Sequence, residues 1–466
     1  MAPAIDVIHD EATFLNNSVV NTHEIIDDKI KPIAGFEPGE DHEVSPGATA
    51  LSKKLVGEAL VEQIEGIDHE LCDAGEEDSF FVADLGEVYR SFKMWKQQMP
   101  QVLPHYAVKC NTDPAVIRLL GTLGANFDCA SKKEIDTILG LGFDASRIVY
   151  ANPCKTNSFI RHARECDVNL TTVDNSQELY KLKKHHPECG ILIRIATDDE
   201  SAQCRLSTKF GCSVSSALNE LLPLCQELDL KVRGVAFHVG SGAKDFDSIY
   251  KAVKDSRTVF DKAEEMGMPM SVLDIGGGFE RETFGESSAM VRYSLGKYFP
   301  QTYADQHGIS FIAEPGRFMV ANAFTLATHV IARRDLGKEQ YDMEAMIYVN
   351  DGVYGNMNCI LFDHQHPVAH VLRHDGKIYY DGETVDDEDK DIQGTVRRFA
   401  FSIWGPTCDG LDCISTRSEF ATNINVGDWL YFPNLGAYTS AATTSFNGLG
   451  GSATVKYVSS APEVRL

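Results

Sequence analysis

Several side chains with useful chemistry lie where short apolar segments of the chain end. They are Lys109, His238, Glu314 and Arg317. A lysine that is partly desolvated at such a position has a lowered pKa and forms a Schiff base with an aldehyde. Taken singly, a lysine is more often exposed to solvent, and a histidine is more often a hydrogen-bonded structural group. The four side chains therefore predict a reaction site only if the fold brings them together.

Three consecutive glycines, at positions 276–278, follow another apolar segment. They could form only a tight turn, but their backbone N–H groups, unobstructed by side chains, are also suited to hold a phosphate. Glu314 either forms a salt bridge with Arg317 or pairs with a pyridinium nitrogen, and His238 could stack on a flat ring. A Schiff-base lysine, a phosphate cradle, a carboxylate and a stacking ring together predict pyridoxal 5'-phosphate as cofactor.

The segments that must position this site form a repeating pattern. Eight short apolar segments alternate with amphipathic segments that have apolar residues at helical spacing. The predicted strands are 105–109, 125–129, 147–151, 169–173, 191–196, 233–239, 271–275 and 310–314. Eight repeats over residues 85–320 predict an α/β fold, a closed (β/α)8 TIM-like barrel, whose loops after the strands share one face. An open doubly wound sheet fits the same alternation.

The flanking segments predict a second domain, as expected for 466 residues. Residues 1–50 are polar and acidic and predict a flexible extension. A helix at 51–67 and a strand at 79–84 make up a segment, 51–84, that packs with the β domain. Residues 321–466 contain strand-like segments separated by turns and predict a C-terminal β-rich domain, sandwich-like or barrel-like. The segment 198–207, with few apolar anchors, predicts a mobile gating loop.

The composition of the chain indicates which kinds of partner it can bind and in which compartment it works. A net charge of −25 argues against nucleic acid and against an anionic membrane as partners. No apolar run approaches the ~20 residues of a membrane span, and the N-terminus lacks the features of a secretory signal. The twelve cysteines have irregular spacing without a CxxC pair, which predicts reduced thiols, no metal site and a cytoplasmic protein.

Several motifs resemble the group IV pyridoxal-phosphate decarboxylases. The matching segments are 106–111, 126–131, 150–155, 237–242, 274–279 and 314–317. The Trp-Gly-Pro-Thr-Cys-Asp-Gly-Leu-Asp segment at 404–412 and the Gly-Ala-Tyr-Thr segment at 436–439 narrow the resemblance to the eukaryotic ornithine decarboxylases. It covers roughly residues 79–448. One departure is Phe362, where many members of the family carry tyrosine.

The resemblance implies a cofactor site at the barrel mouth. Lys109 would hold pyridoxal 5'-phosphate as a Schiff base, Glu314 would meet the pyridine nitrogen and His238 would stack on the ring. The residues implied to hold the phosphate are Ser241, Gly276, Gly277, Gly278, Arg317 and Tyr438. Those implied to shape the pocket are Asp128, Arg194 and Glu134.

The resemblance also implies a substrate site shared between two subunits. Asp363 and Asp409 would receive the distal ammonium of the substrate, one from each subunit of a head-to-tail homodimer, with Phe446 as an apolar wall for the α-carboxylate. Cys408 would reprotonate the carbanionic intermediate, although a cysteine is otherwise most often a small buried apolar residue. Lys209 and Asp412 match an intersubunit salt bridge.

The implied reaction is decarboxylation of L-ornithine to putrescine and CO2, the first step of polyamine biosynthesis, with an antizyme-type regulator as a possible partner. One alternative is a decarboxylase of lysine or another diamino acid, since a single methylene changes the free energy of binding by only ~1–3 kcal/mol. The other alternative is a non-catalytic binding protein like the antizyme inhibitors. Such relatives have lost cofactor contacts, whereas this chain retains Lys109, Arg317, Tyr438 and Cys408.

Overall fold

The computed structural model describes residues 6–7, 46–197, 207–240, 246–337, 342–381, 397–449 and 453–466. Ser241 and residues 198–206 of the predicted gating loop lie outside these ranges. The described residues form a closed parallel barrel and a mixed β sheet. None of the described helices is long and apolar enough to cross a membrane.

Eight parallel strands form the barrel and confirm the predicted fold class. They are β3 (Val102–Ala107), β4 (Asn126–Cys129), β5 (Ile148–Tyr150), β6 (Leu170–Val173), β7 (Gly190–Arg194), β8 (Lys231–Ala236), β9 (Val272–Asp274) and β10 (Ser310–Ala313). Each pairs with its neighbours in sequence, and β10 pairs with β3, which closes the sheet and excludes the open alternative. Small and branched side chains such as Val149, Leu192 and Ile312 pack together as a separate buried cluster.

Helices cover the barrel and begin at capping residues that the sequence supplies. Asp84, Asp113 and Ser131 each accept a hydrogen bond from a backbone N–H of the first helical turn that follows them. The longer helices are α1 (Pro46–Glu65), α2 (Leu85–Gln98), α3 (Pro114–Leu123), α4 (Lys132–Gly140), α5 (Asn157–Glu165), α6 (Ser176–His185), α7 (Leu222–Glu227), α8 (Asp247–Glu265), α9 (Phe284–Tyr298) and α10 (Gln301–His307). Short helical segments Val214–Ser216 and Ala217–Leu221 lead into α7, and α11 (Arg317–Val320) follows β10.

The second unit is a mixed β sheet. Its strands are β2 (Phe80–Asp84), β11 (Phe324–Asp335), β12 (Ala345–Val349), β13 (His370–His374), β14 (Lys377–Ile378), β15 (Phe399–Trp404), β16 (Cys413–Phe420), β17 (Trp429–Phe432) and β18 (Thr454–Val458), with a short helix α12 (Cys359–Phe362). The long strand β11 pairs with β2, β12 and β17. β2 also pairs in parallel with β18, so a strand that precedes the barrel belongs to this sheet.

Helix α1 packs on the β sheet and gives it a core of its own. Val56, Leu60 and Ile64, at helical spacing, pack with Phe80 and Trp429 of the sheet. The helix begins at Pro46, inside the segment 1–50 that the sequence predicts to be flexible. In addition, β1 (Asp6–Val7) pairs with β19 (Val464–Arg465).

Candidate active site

A cavity of about 330 Å³ lies at the C-terminal end of the barrel strands. The loops after β3, β8, β9 and β10 form it together with a loop of the β domain. Its lining residues are Ala107, Lys109, His238, Gly278, Phe279, Glu280, Glu314, Gly316, Arg317 and Tyr438. The fold therefore brings together the residues that carried the sequence-based hypothesis.

Lys109 is held at the cavity by a buried carboxylate. The strand ends at Ala107, and Lys109 lies in the following 3-10 turn, where its Nζ donates to Asp128 Oδ2 at 2.7 Å. Asp128 is fully buried, whereas the lysine side chain keeps 40% of its surface accessible because it faces the cavity. Burial lowers the pKa of Lys109, but the charges of Asp128 and Glu314 outweigh it and raise that pKa above its usual value. The lowered lysine pKa predicted from the sequence is therefore wrong for the chain by itself.

Glu314 forms a carboxyl pair with Asp274 and does not form the alternative salt bridge with Arg317. Burial raises the pKa of Glu314 well above its usual value, and the adjoining charge of Asp274 adds to the rise. Burial likewise raises the pKa of Asp274 to about 6. Its Oδ1 accepts a hydrogen bond from Gly276 N at 2.9 Å. Sequence reasoning missed Asp274, although a carboxylate at a strand end before three glycines was an available signal.

The glycine turn fits against the barrel so closely that side chains are excluded. Gly276 and Gly278 have φ values of +69° and +92°, which favour glycine. A Cβ on Gly277 would lie 2.6 Å from the carbonyl oxygen of Glu314 and 2.9 Å from His238 Nε2, and one on Gly278 would collide with a backbone carbonyl. Bare backbone therefore lines this edge of the cavity, as phosphate binding requires.

His238 presents a neutral ring to the cavity. Gly240 N donates to His238 Nδ1 at 3.0 Å, which places the ring proton on Nε2. Burial lowers the pKa of His238 well below its usual value, and the nearby charges of Arg194 and Lys109 lower it further. Arg194, the last residue of β7, also acts electrostatically on Asp128. An uncharged ring of this kind is suited to stack on a flat ligand.

The β domain contributes Tyr438 and Asp363 to the same mouth. Tyr438 N donates to Cys110 O at 2.9 Å, and the guanidinium of Arg317 lies 5.5 Å from the Tyr438 ring centre. Asp363, directly after α12, forms an ion pair with Arg317. Glu280 also lies near, at 3.8 Å from Arg317 Nε. Arg317 is thus the cationic centre of this side of the cavity.

Cys408, Asp409 and Phe446 form a second cluster on the β domain. Tyr354 donates its phenolic hydrogen to Asp409 Oδ2, and its ring lies 4.5 Å from that of Phe446. Cys408 is exposed, so its interpretation as a buried apolar residue is wrong, and its N–H donates to Asn447 Oδ1 at 3.1 Å. Among the described residues, no hydrogen bond or ion pair links this cluster to the cavity in the same chain.

Asp412 has internal partners rather than an exposed carboxylate. It is 1% exposed, and it accepts hydrogen bonds from Val353 N at 2.9 Å and from Thr407 N at 3.0 Å. Lys209 is exposed, with its ammonium 4.9 Å from the ring centre of Phe210. The structure does not join Lys209 and Asp412 within one chain, and Asp412 instead fixes the loop that carries Cys408. The intersubunit bridge stays a prediction.

Glu134 has a capping role at the start of α4. Its Oε2 accepts from Ala130 N at 2.6 Å, while its own N–H donates to Ser131 Oγ at 3.3 Å. Burial raises the pKa of Glu134, and the charge of nearby Asp128 raises it further. The predicted pocket residue therefore holds the loop beside Asp128 in place.

These residues fit pyridoxal 5'-phosphate. Asp128 Oδ1 is buried and has no hydrogen-bond partner among the described residues, and the glycine turn presents backbone to the cavity. Lys109, Glu314 and His238 surround the same space. A barrel with a lysine, a carboxyl pair and a phosphate cradle at its C-terminal face defines the class of pyridoxal-dependent barrel enzymes.

Comparisons with known proteins define the family. Residues 85–321 match the family model described as "Pyridoxal-dependent decarboxylase, pyridoxal binding domain". The chain is 56% identical to ornithine decarboxylase of Candida albicans, over 88% of this chain and 89% of that protein. It is 53% identical to ornithine decarboxylase of Saccharomyces cerevisiae, over 90% and 89%. Mouse ornithine decarboxylase is 43% identical, over 82% and 80%.

Solved structures of decarboxylases have the same fold as this chain. Arginine decarboxylase of Paramecium bursaria Chlorella virus, bound to agmatine, superposes with a TM-score of 0.75 at 32% identity, covering 86% of this chain and all of that one. Lysine/ornithine decarboxylase of Vibrio vulnificus, complexed with putrescine, gives 0.71 at 26% identity, covering 86% and 98%. The chain belongs to the ornithine decarboxylase family of pyridoxal-dependent decarboxylases, and its cofactor is pyridoxal 5'-phosphate.

Proposed function

We propose that the protein decarboxylates L-ornithine to putrescine and CO2, the first step of polyamine biosynthesis. The observation that carries this proposal is the placement of Lys109 against Asp128 in the cavity that also holds Glu314. The ornithine decarboxylases among its relatives support ornithine as the substrate. The cavity supplies an amine to bind the cofactor and carboxyls to set the charge at its ring.

The chain's own residues prepare the reaction before any bond is broken. Lys109 binds the cofactor through its amine, and Asp128 is placed to accept the proton that this amine must lose. Glu314 would contact the pyridine nitrogen, and Asp274 raises the pKa of Glu314. The phosphate would be held by Arg317, Tyr438, Ser241 and the glycine turn. When bound, the cofactor ring accepts the electrons left behind by the departing CO2.

The site is completed by a second copy of the chain. The surface around Cys408 exposes a group of apolar side chains that water does not favour, which supports a protein partner there. They include Leu411, Phe446 and Leu449, with exposed fractions of 64%, 42% and 54%. Phe362, 66% exposed, instead precedes Asp363 beside the cavity. In a head-to-tail homodimer this face would close the cavity of the partner, and Lys209 and Asp412 would lie at the interface.

Within the shared site, two carboxylates set the substrate. Asp363, at the rim of the cavity, and Asp409, from the second subunit, receive the distal ammonium of ornithine. Phe446 covers the α-carboxylate, where loss of water disfavours the charge. The thiol of Cys408 then gives a proton to the substrate carbon. Phe362 leaves the pocket without the hydroxyl that tyrosine supplies in many relatives.

Product analysis tests the substrate. Purified protein with pyridoxal 5'-phosphate should release putrescine and CO2 from ornithine at much higher kcat/KM than it decarboxylates lysine, arginine or diaminopimelate. Preference for another amino acid would contradict the roles of Asp363 and Asp409 but leave the cofactor site intact. Lys109→Ala is the matched control and should be inactive with every substrate.

Subunit mixing tests the shared site. Lys109→Ala and Cys408→Ala each damage a different part of the site, and each should be impaired alone. If the two parts come from different chains, an equal mixture regains about one quarter of the wild-type sites, because half of the dimers have one intact site. A mixture that stays at the average of the two separate variants would contradict the proposal.

The remaining parts of the proposal concern regulation and location. We infer a cytoplasmic protein, which the free thiols of the described cysteines support, and an antizyme-type protein as a regulatory partner. The competing function is that of a non-catalytic binding protein. Purified protein without cofactor absorbance and without turnover of any diamino acid would favour that alternative.

A further inference from the structure

Three side chains of different chemistry converge on the outer surface of the barrel, away from the cavity. Asp136 lies on α4, His162 lies on α5, and Cys166 directly follows α5. His162 Nε2 is 2.6 Å from Asp136 Oδ1 and 3.5 Å from Cys166 Sγ. One ligand atom from each residue lies within 4.8 Å of the other two.

We propose that Asp136, His162 and Cys166 form a Zn²⁺ site with a fourth position open to water. A thiolate, an imidazole and a carboxylate are the three ligand types that Zn²⁺ accepts in proteins. His162 and Cys166 are four residues apart, which puts them on one face of a helix.

The distances suit a tetrahedral ion. With Zn–N of ~2.0 Å and Zn–S of ~2.3 Å, the nitrogen and sulfur of a tetrahedral site are about 3.5 Å apart, the separation that His162 and Cys166 already have. The nitrogen and the carboxylate oxygen need about 3.4 Å, so Asp136 and His162 must move apart by less than an ångström. Side-chain rotation is sufficient for that.

Access and charge also permit an ion. The side chains of Asp136 and His162 are 42% and 18% exposed, so a hydrated ion can reach them from solvent. Lys132 contacts the other oxygen of Asp136, Oδ2, and leaves Oδ1 directed at His162. Zn²⁺ would take the place of the hydrogen between Asp136 and His162 Nε2, which leaves His162 neutral with its proton on Nδ1, and of the proton of the Cys166 thiol, which passes to solvent. The bound ion would clamp α4 to α5.

Zinc titration of the purified holoprotein tests the site. In competition with a chromogenic chelator, wild type should bind one Zn²⁺ per chain. The variants Cys166→Ser and His162→Gln should bind Zn²⁺ at least about tenfold more weakly than wild type. Cys154→Ser removes an exposed cysteine outside the cluster and should bind like wild type. Equal affinity in wild type and Cys166→Ser, or equal loss in Cys154→Ser, would overturn the proposal.

A spectroscopic measurement identifies the ligands independently of affinity. Co²⁺ in place of Zn²⁺ should give the intense visible bands of a tetrahedral thiolate site, and Cys166→Ser should abolish them. Retention of pyridoxal absorbance in each variant shows that the fold is intact, because the cluster lies outside the cofactor cavity. Weak octahedral bands in wild type would contradict the assignment.

Discussion

In the proposed function, the carboxyl pair of Asp274 and Glu314 would control the charge that the cofactor ring meets. Both carboxyls are buried, and the charge of Asp274 raises the pKa of Glu314, whereas the hydrogen bond with Glu314 lowers the pKa of Asp274. Because Asp274 Oδ1 also accepts from Gly276 N, this residue links the Glu314 carboxyl to the glycine turn at 276–278. Asp274 is therefore a positioning residue for Glu314.

Replacing Asp274 tests that link. In Asp274→Asn the negative charge that raises the Glu314 pKa is gone, so the pKa of Glu314 falls and its ionised form extends to lower pH. The acid limb of the pH profile of kcat/KM should shift to lower pH, with a roughly tenfold fall in kcat because Glu314 is less well placed. The pH titration of cofactor absorbance should shift in the same direction.

The control for this variant is Asp255→Asn on α8. Asp255 also has a pKa raised by partial burial, but it lies on an outer helix. Its replacement should leave the pH profile unchanged. An unshifted profile in Asp274→Asn would show that Asp274 does not act on Glu314.

At the residue scale, strand-end position was enough to predict that Lys109, His238 and Glu314 lie together, as they do in the cavity lining. It could not predict their electrostatics, because the pKa of Lys109 depends on Asp128 of the neighbouring strand β4. Nor could it predict the ion pair of Arg317 with Asp363, since the two residues lie on different domains and pair only in the folded chain.

Among the elements, the turn at 276–278 is the one that tolerates a side chain least. In Gly277→Ala the new Cβ would press on the Glu314 carbonyl and on His238, both of which are fixed by the barrel. We expect at least about tenfold weaker binding of pyridoxal 5'-phosphate and a loss of ~1–3 kcal/mol in the free energy of unfolding. Equilibrium dialysis and urea denaturation measure the two effects.

Gly296→Ala is the matched substitution. Gly296 lies within α9, and a Cβ there meets nothing within 4 Å. This variant should stabilise the protein by ~0.5–1 kcal/mol, since alanine favours the helix, and should keep the cofactor affinity. Equal cofactor binding in the two variants would show that the turn tolerates a side chain.

The sequence predicted all eight barrel strands, because strands buried on both faces are short apolar runs bounded by turns. In the β domain, the segments with strand-like composition are 324–331, 344–349, 397–403, 429–432 and 452–457. They leave out β13 and β16 and the two-residue strands β14 and β19. Their residues, such as Arg373 and Glu419, are polar and partly exposed, and they form strands because neighbouring strands supply hydrogen bonds. Pairing of that kind cannot be recognised from local composition.

At the scale of the whole molecule, Asp84 joins the two units. It ends β2, caps α2 through Gly86 N at 2.9 Å, and accepts from Ser460 N at 2.9 Å and from Ser52 Oγ at 2.6 Å. Arg90 lies 3.4 Å from its Oδ2. One buried carboxylate thus satisfies donors from the barrel, from α1 and from the C-terminal segment.

Asp84→Ala should leave several of these donors buried without an acceptor. We expect the free energy of unfolding to fall by ~2–4 kcal/mol, measured by urea denaturation at a fixed protein concentration. Asp144→Ala removes an exposed capping carboxylate, bonded to Ser146 N, and should cost no more than ~1 kcal/mol. A similar fall in the free energy of unfolding for both variants would mean that Asp84 acts only as a helix cap.

The parallel pairing of β2 with β18 has a consequence for biosynthesis. A ribosome releases β2 before the barrel and β18 after it, with the whole barrel between them. During the tens of seconds that translation of the intervening chain requires, the barrel can close while one edge of β2 waits for its partner. Until β18 is made, the newborn chain therefore carries a strand, Phe80–Asp84, whose residues are all buried in the folded protein but which has an unpaired edge. A chaperone would protect that edge, and a prematurely terminated chain would aggregate through it.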